Sequence, residues 1–237
     1  MEDSTGPQVR DEVLTAAKAT LSLVPGGGIF AALLDYYIPK TWQLQQDKLL
    51  EQLKEDFDRL KGKVNDNRLS SEGFHITMIK IMRDALVEPH KEKQEAFRAI
   101  LLNDAMASSL NAEEDLFIKI TEDLTHEHIR VLKVLADPDR VLQENPAVRQ
   151  SIRSVRSTNS SSLPTSDIPT VLLHPALPEI PPDHWEVLLD GLARYGLIVD
   201  LRFTGGGWRG TYPAEHIMKK RTTALGDRYI ESITLPR

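Results

Sequence analysis

The chain contains no cysteine. Disulfide staples, thiolate nucleophiles and cysteine-based metal sites are therefore excluded. It also has no apolar run of the roughly 18 residues that a membrane-spanning helix needs. Its opening, MEDSTGPQVRDEV, lacks the basic start and following apolar stretch of a signal peptide. A cytoplasmic location is the expectation. No HExxH or GxSxG motif occurs, and no internal repeat or sustained heptad is present. There is no basic excess either. The formal net charge of −6 gives no bulk attraction to nucleic acid.

The 237 residues, 41% of them hydrophobic, are enough for a sizeable core in one large domain or two unequal ones. Residues 1–150 hold 19 Lys and Arg against 26 Asp and Glu, whereas residues 151–237 hold 10 against 9. The acidic excess thus lies in the first part, which is expected to be a helical bundle over 1–150. A Ser/Pro-rich linker or long loop is expected at 151–182, and a small winged-helix-like α+β domain at 183–237.

Apolar periodicity predicts helices over 9–22, from Ile29 onward, and over 42–61, 73–87, 91–110, 112–122 and 126–135. In WQLQQDKLLEQLKEDFDRLK the residues Leu49, Leu53, Phe57 and Leu60 form one stripe, extended by Trp42 and Leu50. Its other face is rich in Lys, Glu, Asp and Gln. Asn111 and Thr125 are placed to cap helices. In the last part, Asp183 is placed to cap HWEVLLDGLARYG, and Gly196 to end it in the left-handed conformation. LIVDLRF and WRGTY then read as two strands of a wing joined by Gly205, Gly206 and Gly207. Thr222 or Thr223 opens a final helix. A short extended piece is expected at 170–173.

The triplet in SLVPGGGIF follows a helix, and Gly28 is succeeded by Ile29, Phe30 and Ala31. A phosphate loop would need Lys and Ser or Thr there. Pro25, Gly26, Gly27 and Gly28 read as a hinge between apolar helices. The alternative is a hairpin that meets a membrane surface, with Asp35 opposing deep insertion. His126 and His128 stand two apart in a first helical turn, so they do not share a face, and solvent exposure is expected. Glu51, Glu55, Asp56 and Asp58 lie among Lys48, Lys54 and Arg59, which reads as a solvated face. No metal or cofactor is expected. Enzymatic activity stays open, because catalytic residues can assemble from distant segments.

Three partner readings follow from these residues. Leu53 and Phe57 on the 42–61 helix are candidates for binding a protein partner or a second copy. Arg202, Trp208, Arg209, Lys219, Lys220 and Arg221 are candidates for nucleic-acid contacts through the wing. The glycine hairpin is the candidate for a triggered membrane-active toxin.

The layout resembles that of the Abi-alpha-like group of bacterial helical proteins. The resemblance is carried by VPGGG, WQLQQDKLLEQLKEDFDRL and KEKQEAFRAILLNDAM, then by FIKITEDLTHEHIRVLKVLADP, GLARYGLI and TALGDRYIESI. It departs at 151–182. That group is mostly of unknown function and is associated in part with abortive infection against phage. The resemblance implies a bacterial cytosolic protein of defence or stress response.

Overall fold

A computed structural model describes residues 43–108, 113–157, 163–164, 169–199, 211–212 and 219–237. The hinge Pro25–Gly28, the helices expected over 9–22 and from Ile29, Trp42, Asn111 and the wing residues Arg202, Trp208 and Arg209 lie outside them. The described chain is mainly helical and divides into two compact units. One comprises residues 1–122 with 232–237, and the other residues 123–231.

The first unit begins with α1 (Gln43–Arg59). Leu49, Leu50, Leu53 and Phe57 are buried along its stripe, and Leu60 follows just beyond it. Each such side chain stabilises the fold by roughly 1.5–3 kcal/mol when fully buried. Gly62, at φ +86°, turns the chain where a side chain would be strained. Next come α2 (Asp66–Leu69), α3 (Glu72–Val87), α4 (Lys91–Met106) and α5 (Glu114–Asp123). Asn65 caps α2, and the Ser71 hydroxyl accepts from Phe74 N to cap α3. Pro89 separates α3 from α4, which pack against each other; Met78, Ile81 and Met82 on α3 and Phe97, Ile100 and Leu101 on α4 are buried. Residues 232–237 complete this unit. Asn103 Nδ2 donates to the carbonyls of Ser232 and Thr234, at 2.9 and 3.2 Å.

The second unit contains α6 (His126–Ala136), α7 (Pro138–Glu144) and α8 (Pro146–Ser157). Two prolines sit at helix starts, where the missing N–H costs nothing. Asp137 caps the first of these helices through Arg140 N, and Asn145 caps the second through Ala147 N and Val148 N. Residues 170–173, expected to be extended, lie instead in a π-helical turn (Pro169–Leu173) that leads into the short α9 (His174–Ala176). The five prolines of IPTVLLHPALPEIPP exclude a long helix but not a single wide turn. Val171, Leu172 and Leu173 are buried in it.

After a 3-10 turn at Pro182–His184 comes α10 (Trp185–Arg194). Asp183 lies inside the 3-10 turn and makes no cap; His184 occupies the cap position without a side-chain bond. Gly196 ends α10 at φ +67°. Gly196 N donates to Ala193 O and Leu197 N to Leu192 O, the paired bonds of a Schellman stop. The last helix, α11 (Ala224–Ser232), is opened by the Thr223 hydroxyl, which accepts from Gly226 N at 3.0 Å.

The winged-helix expectation is overturned. A wing would pair 197–203 with 208–212. Among the described residues, Ile198 instead bridges Thr222, and Val199 N donates to Arg221 O. Thr211–Tyr212 (β2) pairs antiparallel with Leu163–Pro164 (β1), two residues on each side. Among the described residues, extended pairing is confined to these pieces, and the architecture there is mainly α rather than α+β. The physical reason is competition for backbone groups. Segments 163–164 and 221–223 take the partners that a local hairpin would have used.

Candidate functional site

Helices α1, α3 and α4 of the first unit enclose a groove of about 300 Å³. Its apolar floor is made by Leu49 from α1, Leu86 from α3 and the intervening Pro89. Its polar wall carries Lys48 and Gln52 from α1, and Lys91, Gln94 and Arg98 from α4. Helical spacing explains the division. Lys48 and Gln52 are four apart on one edge of α1, while Leu49 and Leu53 face inward. Lys91, Gln94 and Arg98 follow the same 3–4 rhythm along α4.

Arg98 is held in place. Its Nη1 donates to Gln52 Oε1 at 2.7 Å, and its Nε lies 2.7 Å from Asp56 Oδ2 without hydrogen-bond alignment. Asp56 also pairs with Arg59. It is 5% exposed, which corrects the expectation of a solvated acidic face for this member of the run. Burial raises its pKa, while Arg98 and Arg59 oppose that rise. Gln94 is fixed by donation to Glu88 O at 2.6 Å. At the rim, Lys91 is 3.6 Å from Glu95 in an exposed pair, which gives little binding between them. The groove therefore combines an apolar floor, an anchored guanidinium and two exposed ammonium groups, with Glu95 as the opposing charge.

Two carboxylate pairs lie elsewhere in the first unit. Arg68 Nε and Nη2 donate to the two Asp104 oxygens at 2.7 and 2.8 Å, and Nη2 also reaches Glu114 Oε2 at 2.9 Å. Desolvation pushes Glu114 up to about 7, and neighbouring Asp104 adds to the rise; Thr77 and Arg68 act against it. Burial likewise raises Asp104. In the second pair, burial raises Asp84. Burial acts upward on Glu122 too, but Asp84, Lys80 and Lys119 outweigh it and leave that carboxyl below its ordinary range. Neither pair lines the groove. No group of three or more metal-binding side chains occurs among the described residues.

Leu53 and Phe57 are 4% and 6% exposed, engaged in packing within the first unit. Lys219 and Lys220 are exposed, but Lys220 Nζ is 2.8 Å from Asp227 Oδ2. Arg221 is half-buried, and its backbone N donates to Leu135 O. These cations precede α11 and do not stand on a described wing. No described helix is long and apolar enough to cross a membrane.

His128 departs from the expected exposure. It is 9% exposed, its Nδ1 accepts from Thr125 N at 3.2 Å, and Thr125 Oγ1 accepts from His128 N. It thus fills the return position of a capping box usually taken by Glu or Gln. The imidazole lies against Gly191 of α10, where an added Cβ would stand 2.4 Å from Nε2. Reading the sequence missed the groove cations Lys48, Lys91 and Arg98. Their shared rhythm with Gln52 and Gln94 was the available signal, but only tertiary packing joins the two helices. Compared with family models, with curated proteins and with solved structures, the chain shows no match.

Proposed function

We propose that this chain is a non-enzymatic helical interaction protein that takes an acidic peptide segment of a partner protein into the groove of its first unit. The observation carrying this reading is the groove itself, with Lys48, Lys91 and Arg98 set over Leu49, Leu86 and Pro89. A short segment bearing Asp or Glu beside an aliphatic residue complements that arrangement in charge and apolarity. Glu114, whose carboxyl is pushed up to about 7, lies away from the groove. The finer role, a bacterial defence or stress component, rests on the layout resemblance alone.

Fluorescence anisotropy with labelled peptides alternating Glu and Leu tests the binding claim, with Lys-for-Glu peptides as controls. The acidic peptide should bind, and binding should weaken with salt. The exposed double variant Lys48→Glu, Lys91→Glu should abolish it while leaving the circular dichroism spectrum unchanged. Equal binding of both peptides, or an undiminished signal from the double variant, overturns the reading. Growth of bacteria expressing the chain, with and without phage, tests the defence role. Identical phage yields with and without expression count against it.

A further inference from the structure

Arg68 brings together three parts of the first unit. It lies on α2, Asp104 near the end of α4, and Glu114 at the start of α5. Their side chains are 5%, 2% and 8% exposed. One guanidinium faces two carboxyl groups, so full ionisation would leave an uncompensated negative charge in the interior. Such a charge is costly unless neutralised. Glu114 Oε1 is buried without a well-formed hydrogen bond, which marks where the compensation is missing. The cation face is already committed. Arg68 also donates to Ser71 Oγ and lies 5.9 Å above the Phe74 ring.

We propose that Arg68, Asp104 and Glu114 form a proton-operated latch that fastens α2 and the start of α5 to the end of α4, closed while the two carboxyl groups share a proton and loosened when that proton leaves. The groups acting on Glu114 are Asp104 from α4, Arg68 from α2 and the Thr77 hydroxyl from α3. On its own helix, Asp115 is exposed and Glu113 precedes it. Glu114 lies in the first turn of α5, where the helix N-terminus favours negative charge. Desolvation, the largest influence, acts the other way and favours the protonated form. This inference does not depend on the groove.

The sign follows from linkage. Closed, Glu114 holds its proton to about pH 7; opened to solvent, it returns toward its ordinary value of 4.5. Between those values opening releases one proton. The opening equilibrium then rises up to about tenfold per pH unit. Below the window both states are protonated, and above it both are ionised, so the dependence ends on either side.

Hydrogen exchange by mass spectrometry on the full chain tests this at pH 5, 6, 7 and 8, with intrinsic rates divided out. Peptides covering 66–69 and 114–123 should open up to about tenfold more per unit between pH 5 and 7, then level off. Peptides from 126–136 serve as the reference and should not follow. Glu114→Gln mimics the protonated form and should flatten the slope. Asp104→Asn leaves Arg68 and Glu114 as a one-to-one pair and should flatten it as well. A flat wild-type profile overturns the proposal whatever the variants do. So does a wild-type slope retained in either folded variant, or a slope shared equally by the reference peptides.

Discussion

The two compact units are specified by different means. Buried polar side chains of the first include Asp56, Arg68, Lys93, Asp104 and Glu114, so charge is part of its interior. Lys93 shows the pattern in small. Its Nζ lies 3.0 Å from Glu88 Oε2, donates to Glu122 O at 3.2 Å and stands 6.0 Å from the centroid of the Phe97 ring. In the second unit, among the described residues, the buried polar side chain is His128, and specificity comes from close approach. Gly191 admits the imidazole, and Gly226 admits the Leu197 carbonyl. A charged interior imposes register through partners that must be satisfied. A close-packed one imposes it through space that must stay empty.

Substitutions can break this contrast. The largest effect is expected from Arg68→Ala, which strands two buried carboxyl groups. Urea unfolding should show a loss of about 3–5 kcal/mol, and a loss below about 1 kcal/mol would remove buried charge as the organising element of the first unit. Next comes Gly226→Ala. Its Cβ would stand 2.0 Å from the Leu197 carbonyl oxygen, a backbone atom that cannot swing aside. A cost of about 1–3 kcal/mol is expected in thermal unfolding, and a neutral result would mean the approach is not required. Gly191→Ala should cost less than Gly226→Ala, because it meets a side chain. A double-mutant cycle sharpens the point. His128→Ala opens the room that the methyl group introduced by Gly191→Ala needs, so the pair should couple by at least about 0.5 kcal/mol; strict additivity would count against direct packing. Smallest of all is Lys220→Ala, which removes an exposed pair and should change stability by no more than about 0.5 kcal/mol in the same melts.

Much of the local structure was legible. The stripe of α1, the Thr125 cap and the Gly196 stop each depend on residues within a few positions of one another, where spacing and backbone preference decide the outcome. What escaped depends on partners from other elements. Asp56 sits among lysines and glutamates and reads as solvated until Arg98 approaches it from α4. His128 reads as exposed until Gly191 makes space for it. The wing failed for the same reason: alternation in LIVDLRF and WRGTY suggests extended chain but does not name its partner. The groove was half legible, since α1 was singled out for binding. The expectation fell on its buried stripe and not on its polar edge, because amphipathicity alone does not say which face remains for a visitor.

Residues 232–237 belong to the first unit although 109 residues of the second, 123–231, intervene. Lys63 Nζ donates to the Arg237 carbonyl at 2.6 Å, and Asn103 holds the backbone at Ser232 and Thr234. During synthesis, α1 to α5 emerge from the ribosome well before these closing contacts can form. The first unit is thus begun early and finished late, and its assembly is timed by translation of the inserted second unit.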